Sequence, residues 1–172
     1  MYKALVILLL IPLIARSQHS GDYPIQPVPF TSVDVTDDFW KPRIKTNHEV
    51  TIPIAFAHCE STGRVKNFEV AGGMTAGTFC TSYPFDDSDV FKIVEGASYS
   101  LQTFPDAEME AYLDTLILKF VLAQEDDGYL YTNRTILGDS GHAWIGSERW
   151  QNTHLHSHEL YNMGHFFEAA VA

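Results

Sequence analysis

Met109-Glu110-Ala111-Tyr112-Leu113-Asp114-Thr115-Leu116-Ile117-Leu118-Lys119-Phe120-Val121 is the stretch that decides the fold class. Its apolar residues Met109, Tyr112, Leu113, Leu116, Ile117, Phe120 and Val121 recur three or four apart, which is the period of one helix face; a strand would alternate. Just upstream, Val90, Val94, Ala97 and Leu101 make a second helical stripe. Asp86, Asp87, Ser88 and Asp89 stand before it, residue types that cap a helix start and complement its positive dipole end. Only residues 103–106 separate the two stripes, so the helices must run antiparallel as a hairpin.

Downstream, Gly128 is read as the stop of the longer helix, and residues 125–156 as a long polar and aromatic loop. Ser157 is then expected to cap a last helix that carries Leu160, Met163, Phe167 and Val171 on one face. Upstream of the hairpin, residues 64–85 are Gly-rich and without a steady period, and are read as another long loop. Before them, Ile44, Ile52, Ala55 and Phe56 indicate a helix running to about Cys59. Pro42 suits its first turn, Pro53 should kink or split it, and Gly63 lies just past its end. Phe30, Val33 and Val35 suggest a short strand, with Thr36 or Asp37 capping a turn around Phe39 and Trp40.

These lengths imply an arrangement. Long connections alternate with a short one, so in a ring of antiparallel hairpins both long loops and the starts of the second and fourth helices gather at one end. That end is the candidate site. The pattern is still periodic at Ala172, with no Gly, Asn or basic residue to close it, so a larger domain is expected to continue from this segment.

The first residues read as an export signal. Lys3 is a positive start, residues 4–14 are apolar, and Ala15 and Ser17 flank Arg16 in the small-residue pattern of a cleavage site. The apolar run is too short, and too interrupted by Pro12, for a permanent membrane anchor. The organisation expected is a signal peptide over 1–17, an extended lead-in over 18–35 and a helical domain over 36–172, with a secreted or periplasmic location. Removal of Lys3 and Arg16 leaves nine basic against 22 acidic side chains, a formal charge of −13. With no basic patch, binding to nucleic acid is excluded, and a neutral ligand is the simplest partner. The oligomeric state is left open.

Chemistry-bearing residues are few. Cys59 and Cys80 are compatible with one disulfide or two free thiols, and no CxxC, HExxH or GxSxG motif is present. His154, His156, His158 and His165 form the most suggestive group, but His158 and His165 stand seven apart, ~10 Å along a helix, and cannot share one ion. A single histidine at the start of the last helix, facing a pocket, is one reading of His158; a half-buried capping histidine is the other. Asp86, Asp87 and Asp89 are read chiefly as helix caps rather than as a catalytic carboxylate pair. Trp40, Trp144, Trp150, Tyr129 and Tyr131 are either stacking platforms for sugar rings or packing under loops. Asn133-Arg134-Thr135 matches an N-glycosylation acceptor.

Three stretches taken together resemble a known family. They are Phe85-Asp86-Asp87-Ser88-Asp89-Val90-Phe91-Lys92 with Glu95 and Ser98-Tyr99-Ser100-Leu101, then Gln124-Glu125-Asp126-Asp127-Gly128-Tyr129-Leu130, then Glu148-Arg149-Trp150 with His158-Glu159-Leu160-Tyr161, Gly164-His165 and Glu168-Ala169-Ala170-Val171-Ala172. Phe39-Trp40-Lys41-Pro42-Arg43 and Ile52-Pro53 fit as well. The set is similar to the amino-terminal half of the glycoside hydrolase family 127 β-L-arabinofuranosidases. That resemblance implies an all-α fold, here a partial (α/α) barrel of helical hairpins, and a retaining hydrolase of β-linked L-arabinofuranosides in plant-type glycans. It further implies a cysteine nucleophile beside zinc and a glutamate acid. All of these are expected beyond the present residues, so that this segment alone binds no cofactor, carries no catalytic residue and is inactive. Cys59 and Cys80 do not match the family's zinc and nucleophile cysteines. His158, in the HELY motif, is the sugar-contacting residue the resemblance carries over, with Asp87 and Tyr129 after it. Asn162 stands where the family has a cysteine. Other helical-toroid sugar enzymes, such as unsaturated uronyl hydrolases, and a non-catalytic carbohydrate-binding protein are the alternatives.

Overall fold

The computed structural model describes residues 25–139 and 141–172; the export segment over 1–17 lies outside them. The chain divides into two units, Met1–Val33 and Asp34–Ala172. In the first, Phe30–Ser32 form a single 3-10 turn closed by the Val33 amide on the Phe30 carbonyl, where a strand had been expected. Phe30 and Val33 are about half exposed, so the turn buries no apolar side and has no strand partner to pair with among the described residues.

The second unit is helical throughout its described elements: α1 (Trp40–Thr46), α2 (Ile52–Ser61), α3 (Arg64–Ala71), α4 (Asp87–Leu101), α5 (Ala107–Ala123), α6 (Thr132–Leu137) and α7 (Glu159–Val171). Asp37 opens α1, its Oδ1 accepting from the amides of Phe39 and Trp40 at 2.8 and 2.6 Å. Pro53 splits the expected first helix in two. It has no N–H to donate, and the backbone relaxes through a π turn over Asn47–Thr51 before α2 begins. Gly63, at φ +85°, ends α2 and α3 starts at the next residue.

Two helices lie inside stretches read from sequence as loops. α3 occupies the start of 64–85 because Val65 and Phe68, three apart, are both fully buried. Its Asn67 is also buried and holds what remains of the loop, accepting from the Cys80 amide at 2.8 Å and donating to the Thr81 hydroxyl at 3.2 Å. α6 is the other. The longer hairpin helix ends at Ala123, before Gly128, which at φ +88° closes a turn onto the Glu125 carbonyl instead.

α4 and α5 form the expected hairpin, with Asp106 as a true cap, accepting from the amides of Glu108 and Met109. α4 and α7 run parallel. Phe85 meets His158 at their starts, and Gln102 donates to the Ala172 carbonyl at their ends. Phe68, Phe91, Phe120 and Phe166, one each from α3, α4, α5 and α7, interlock with centroids 4.7–6.4 Å apart and form the centre of the core. Each fully buried Phe contributes on the order of 2–3 kcal/mol. A smaller cluster of Tyr129, Tyr131 and Ile145, backed by Phe85, packs beneath the loops at the starts of α4 and α7.

Candidate functional site

The two helix starts converge as expected, but their first-turn acids do not cap their own helix. Asp86 makes no side-chain cap bond. Its Oδ1 lies 3.6 Å from the Arg64 guanidinium, which also donates to Asp89 at 2.7 Å. Burial holds the Asp86 carboxyl above its usual range against the opposing pull of Arg64. Asp87 is 1% exposed and turns to α6, accepting from the Thr132 amide at 2.8 Å and its hydroxyl at 2.5 Å. Burial pushes the Asp87 carboxyl up to about 7, outweighing the two Thr132 bonds that favour its ionised form.

A second buried carboxylate belongs to the start of the last helix. Glu159, the first residue of α7, accepts at Oε1 from the Tyr129 hydroxyl at 2.6 Å, and at Oε2 from the Ser157 hydroxyl and the Trp150 amide at 2.9 and 3.0 Å. Arg134 Nε lies 3.6 Å from Oε1. The same guanidinium binds Asp139 and the carbonyls of Ile145 and Glu148, so one buried cation fastens the long loop to α6. Ser157 therefore serves Glu159 and leaves the last helix uncapped by its side chain; the Thr153 hydroxyl takes the Leu160 amide instead. Tyr131 donates to the Ser157 carbonyl at 2.5 Å. Arg149 binds Glu125 and Asp127 and lies over the Tyr129 ring, 4.0 Å from its centroid. The amide of Tyr129 and then Arg149 hold the Asp127 carboxyl below its usual range.

His158 is set at the mouth of this frame in the left-handed region, φ +53°, as is Trp150 at φ +68°. A non-glycine residue there costs about 1–2 kcal/mol, which the bonds of Glu159 and Ser157 on either side must offset. The imidazole is half-buried, edge-on to Phe85 at 4.7 Å and 5.9 Å from Tyr161. Phe85 and Trp144 lie nearly parallel, 6.4 Å apart, with Tyr83 stacked on Phe85 and His156 beside Trp144. This is a shelf of ring faces flanked by the imidazoles of His142, His156 and His158, suited to the apolar faces of a sugar.

Of the three residues expected at a sugar, then, only His158 stands toward solvent. Asp87 and Tyr129 lie just behind it with their polar atoms engaged inside the protein. The second loop's tryptophans, Trp144 and Trp150, reach the surface, while Tyr129 and Tyr131 are buried. Asn133 of the glycosylation triplet is fully buried and out of reach of any glycan transfer. Glu159, Arg134 and Thr132 were not singled out from the sequence, although Glu159 sits inside the HELY motif. A carboxylate directly after a candidate site histidine was the available signal.

The cysteines do not suit a thiolate metal centre. Both are unpaired thiols. Cys59 is in the main core and burial pushes its thiol up to about 11, whereas Cys80 lies exposed on a loop. Among the described residues, neither joins a group of three ligand-type side chains.

Parallel helices joined through antiparallel hairpins, with the long loops gathered over the helix starts, define this chain as part of an (α/α) barrel. A family model for the GH127 β-L-arabinofuranosidase catalytic domain matches residues 32–172. A non-reducing end β-L-arabinofuranosidase of Bifidobacterium longum subsp. longum is 34% identical over 160 residues, which are 82% of this chain and 24% of the relative. Among solved structures, a GH127 β-arabinofuranosidase superposes with a TM-score of 0.80 at 51% identity, covering 87% of this chain and 24% of that one. A GH127 β-L-arabinofuranosidase of Geobacillus stearothermophilus T6 gives 0.72 at 35%, covering 81% and 22%. The chain belongs to glycoside hydrolase family 127. It spans about a quarter of the length of these relatives.

Proposed function

We propose that this chain forms one wall of the sugar site in a retaining glycoside hydrolase that acts outside the cytoplasm on β-linked L-arabinofuranosides of plant-type glycans. The observation that carries the reading is the placement of His158. Its imidazole stands at the shared start of α4 and α7, beside the Phe85 ring that Trp144 parallels and in front of the buried frame around Glu159. In that position His158 exchanges hydrogen bonds with a sugar hydroxyl while Phe85 and Trp144 meet the ring face. Asp87 and Tyr129 act from behind, fixing α6 and the long loop against the two helix starts. The thiolate, zinc and acid that the family resemblance implies find no matching residues here, so the residues of this chain bind and orient rather than cleave.

The test is a comparison of the longer enzyme carrying this segment with its His158→Ala variant on an aryl β-L-arabinofuranoside. A loss of about a hundredfold in kcat/KM, with the thermal transition preserved, is expected for a site-facing imidazole. Unchanged kinetics would remove His158 from the site. Robust cleavage by the 172-residue chain alone would overturn the assignment of its residues to binding.

A further inference from the structure

We propose that Glu95, His165 and Glu168 form a site for one divalent transition-metal ion such as zinc, clamping α4 to α7 midway along their length. Glu95 lies on α4, and His165 and Glu168 lie one turn apart on the facing side of α7. One ligand atom from each falls within 4.8 Å of the others. The proposal rests on the packing of these two helices and not on the sugar site.

Two observations set the group apart from an ordinary ion pair. His165 Nδ1 is 3.1 Å from Glu168 Oε2, yet the approach is not aligned for a hydrogen bond, and this buried nitrogen has no other partner among the described residues. Apart from His165 itself, neither carboxylate has a basic counterion among the described residues. Among the described residues no Lys or Arg pairs with Glu95 or Glu168; Lys92, one turn before Glu95, lies over the Tyr161 ring and beside Asp89 instead. Two carboxylates and an imidazole nitrogen therefore converge with no Lys or Arg among them. Tyr161 packs edge-on against the His165 ring at 4.5 Å and fixes its plane.

The donor set is one imidazole and two carboxylates, which suits zinc, cobalt or nickel and leaves a fourth position to water. Donors on one ion at about 2.0 Å stand roughly 3.3 Å apart in a tetrahedral arrangement, so the three atoms must close somewhat on binding. The rotatable bonds of the two glutamates allow this without moving the helices, which Phe91 on Phe166 and Gln102 on Ala172 already hold in register.

The experiment titrates the full chain with Co²⁺, following the visible d–d absorption, and then displaces it with Zn²⁺. One equivalent giving a band of four-coordinate intensity is expected. Glu95→Gln and His165→Gln should each weaken binding at least about tenfold, with the helical circular dichroism unchanged, while His154→Gln, in the exposed part of the loop, leaves it intact. Absence of the band would overturn the site, as would equal binding by wild type and Glu95→Gln, or an equal loss in His154→Gln. Glu95→Gln keeps the shape of the side chain and decides the matter should His165→Gln fail to fold.

Discussion

Asp87 and Glu159 are both buried carboxylates, with opposite consequences. Asp87 has no basic partner among the described residues, only the Thr132 amide and hydroxyl, and burial pushes its carboxyl up to about 7 from an ordinary 3.8. A folded-state value raised above the unfolded one means that stability is complete below about pH 4 and falls as pH rises toward 7, because the unfolded chain gives up its proton first. Between pH 5 and pH 8 the loss is roughly 2–3 kcal/mol. Asp87→Asn abolishes that slope, so its thermal transition should gain on the wild type as pH is raised; parallel transitions across the range would rule the effect out. Glu159 sits instead among the Tyr129 and Ser157 hydroxyls, the Trp150 amide and Arg134. Glu159→Gln turns one acceptor into a donor facing other donors and strips charge from beside Arg134. Urea unfolding should register a cost of about 3 kcal/mol, and a cost under ~1 kcal/mol would show that the hub is not what fastens the loop.

Among the elements, capping separates the two long helices. α5 is held by a side-chain cap, Asp106 on the amides of Glu108 and Met109, and Asp106→Ala should cost about 1 kcal/mol. The same substitution also removes the carboxylate that lies 3.6 Å from the His48 ring, itself stacked on Phe104; urea denaturation of Asp106→Ala measures the combined cost. α4 begins without any such bond, because its acids are recruited by α3 and α6. The contrast explains which elements could be read in advance. α4, α5 and α7 announce themselves by a stripe repeated over three or more turns, and the hairpin follows from their spacing. α3 and α6 run for only eight and six residues, too short for a period to show, and their stability comes from burial of Val65 and Phe68 and from the reach of Asp87 to Thr132. Those partners are distant in sequence. His158 was legible as a helix-start imidazole beside a known motif, but its left-handed backbone and the bonds that enforce it depend on Tyr129, Trp150 and Ser157, which no local pattern links.

Across the whole molecule, one face of the hairpin stripe is not used by the helices present. Met109, Leu113, Leu116 and Phe120 are buried, but Ile117 and Val121 of the same periodic run are 49% and 61% exposed, next to Leu118 and Leu122. α7 likewise presents Leu160, Phe167 and Val171 outward. Between the two helices, Val94, Ile117, Phe120, Val121, Phe166 and Ala169 line an apolar cavity of about 370 Å³. Contiguous apolar surface on this scale is rare on a solvated monomer and drives association. The strong negative charge opposes aggregation but is spread over the chain, and at physiological salt it is screened beyond about 8 Å. Short-range apolar contact therefore wins. The 172-residue chain on its own should bind a hydrophobic dye and elute with a concentration-dependent mass, and Leu118→Lys with Leu122→Lys should reduce both, since the two residues share the outer side of α5 and neither is in the core. A sharp, dye-free monomer at ~100 µM would mean that these faces are covered within the single chain in solution, against the exposure of Ile117, Leu118, Val121 and Leu122.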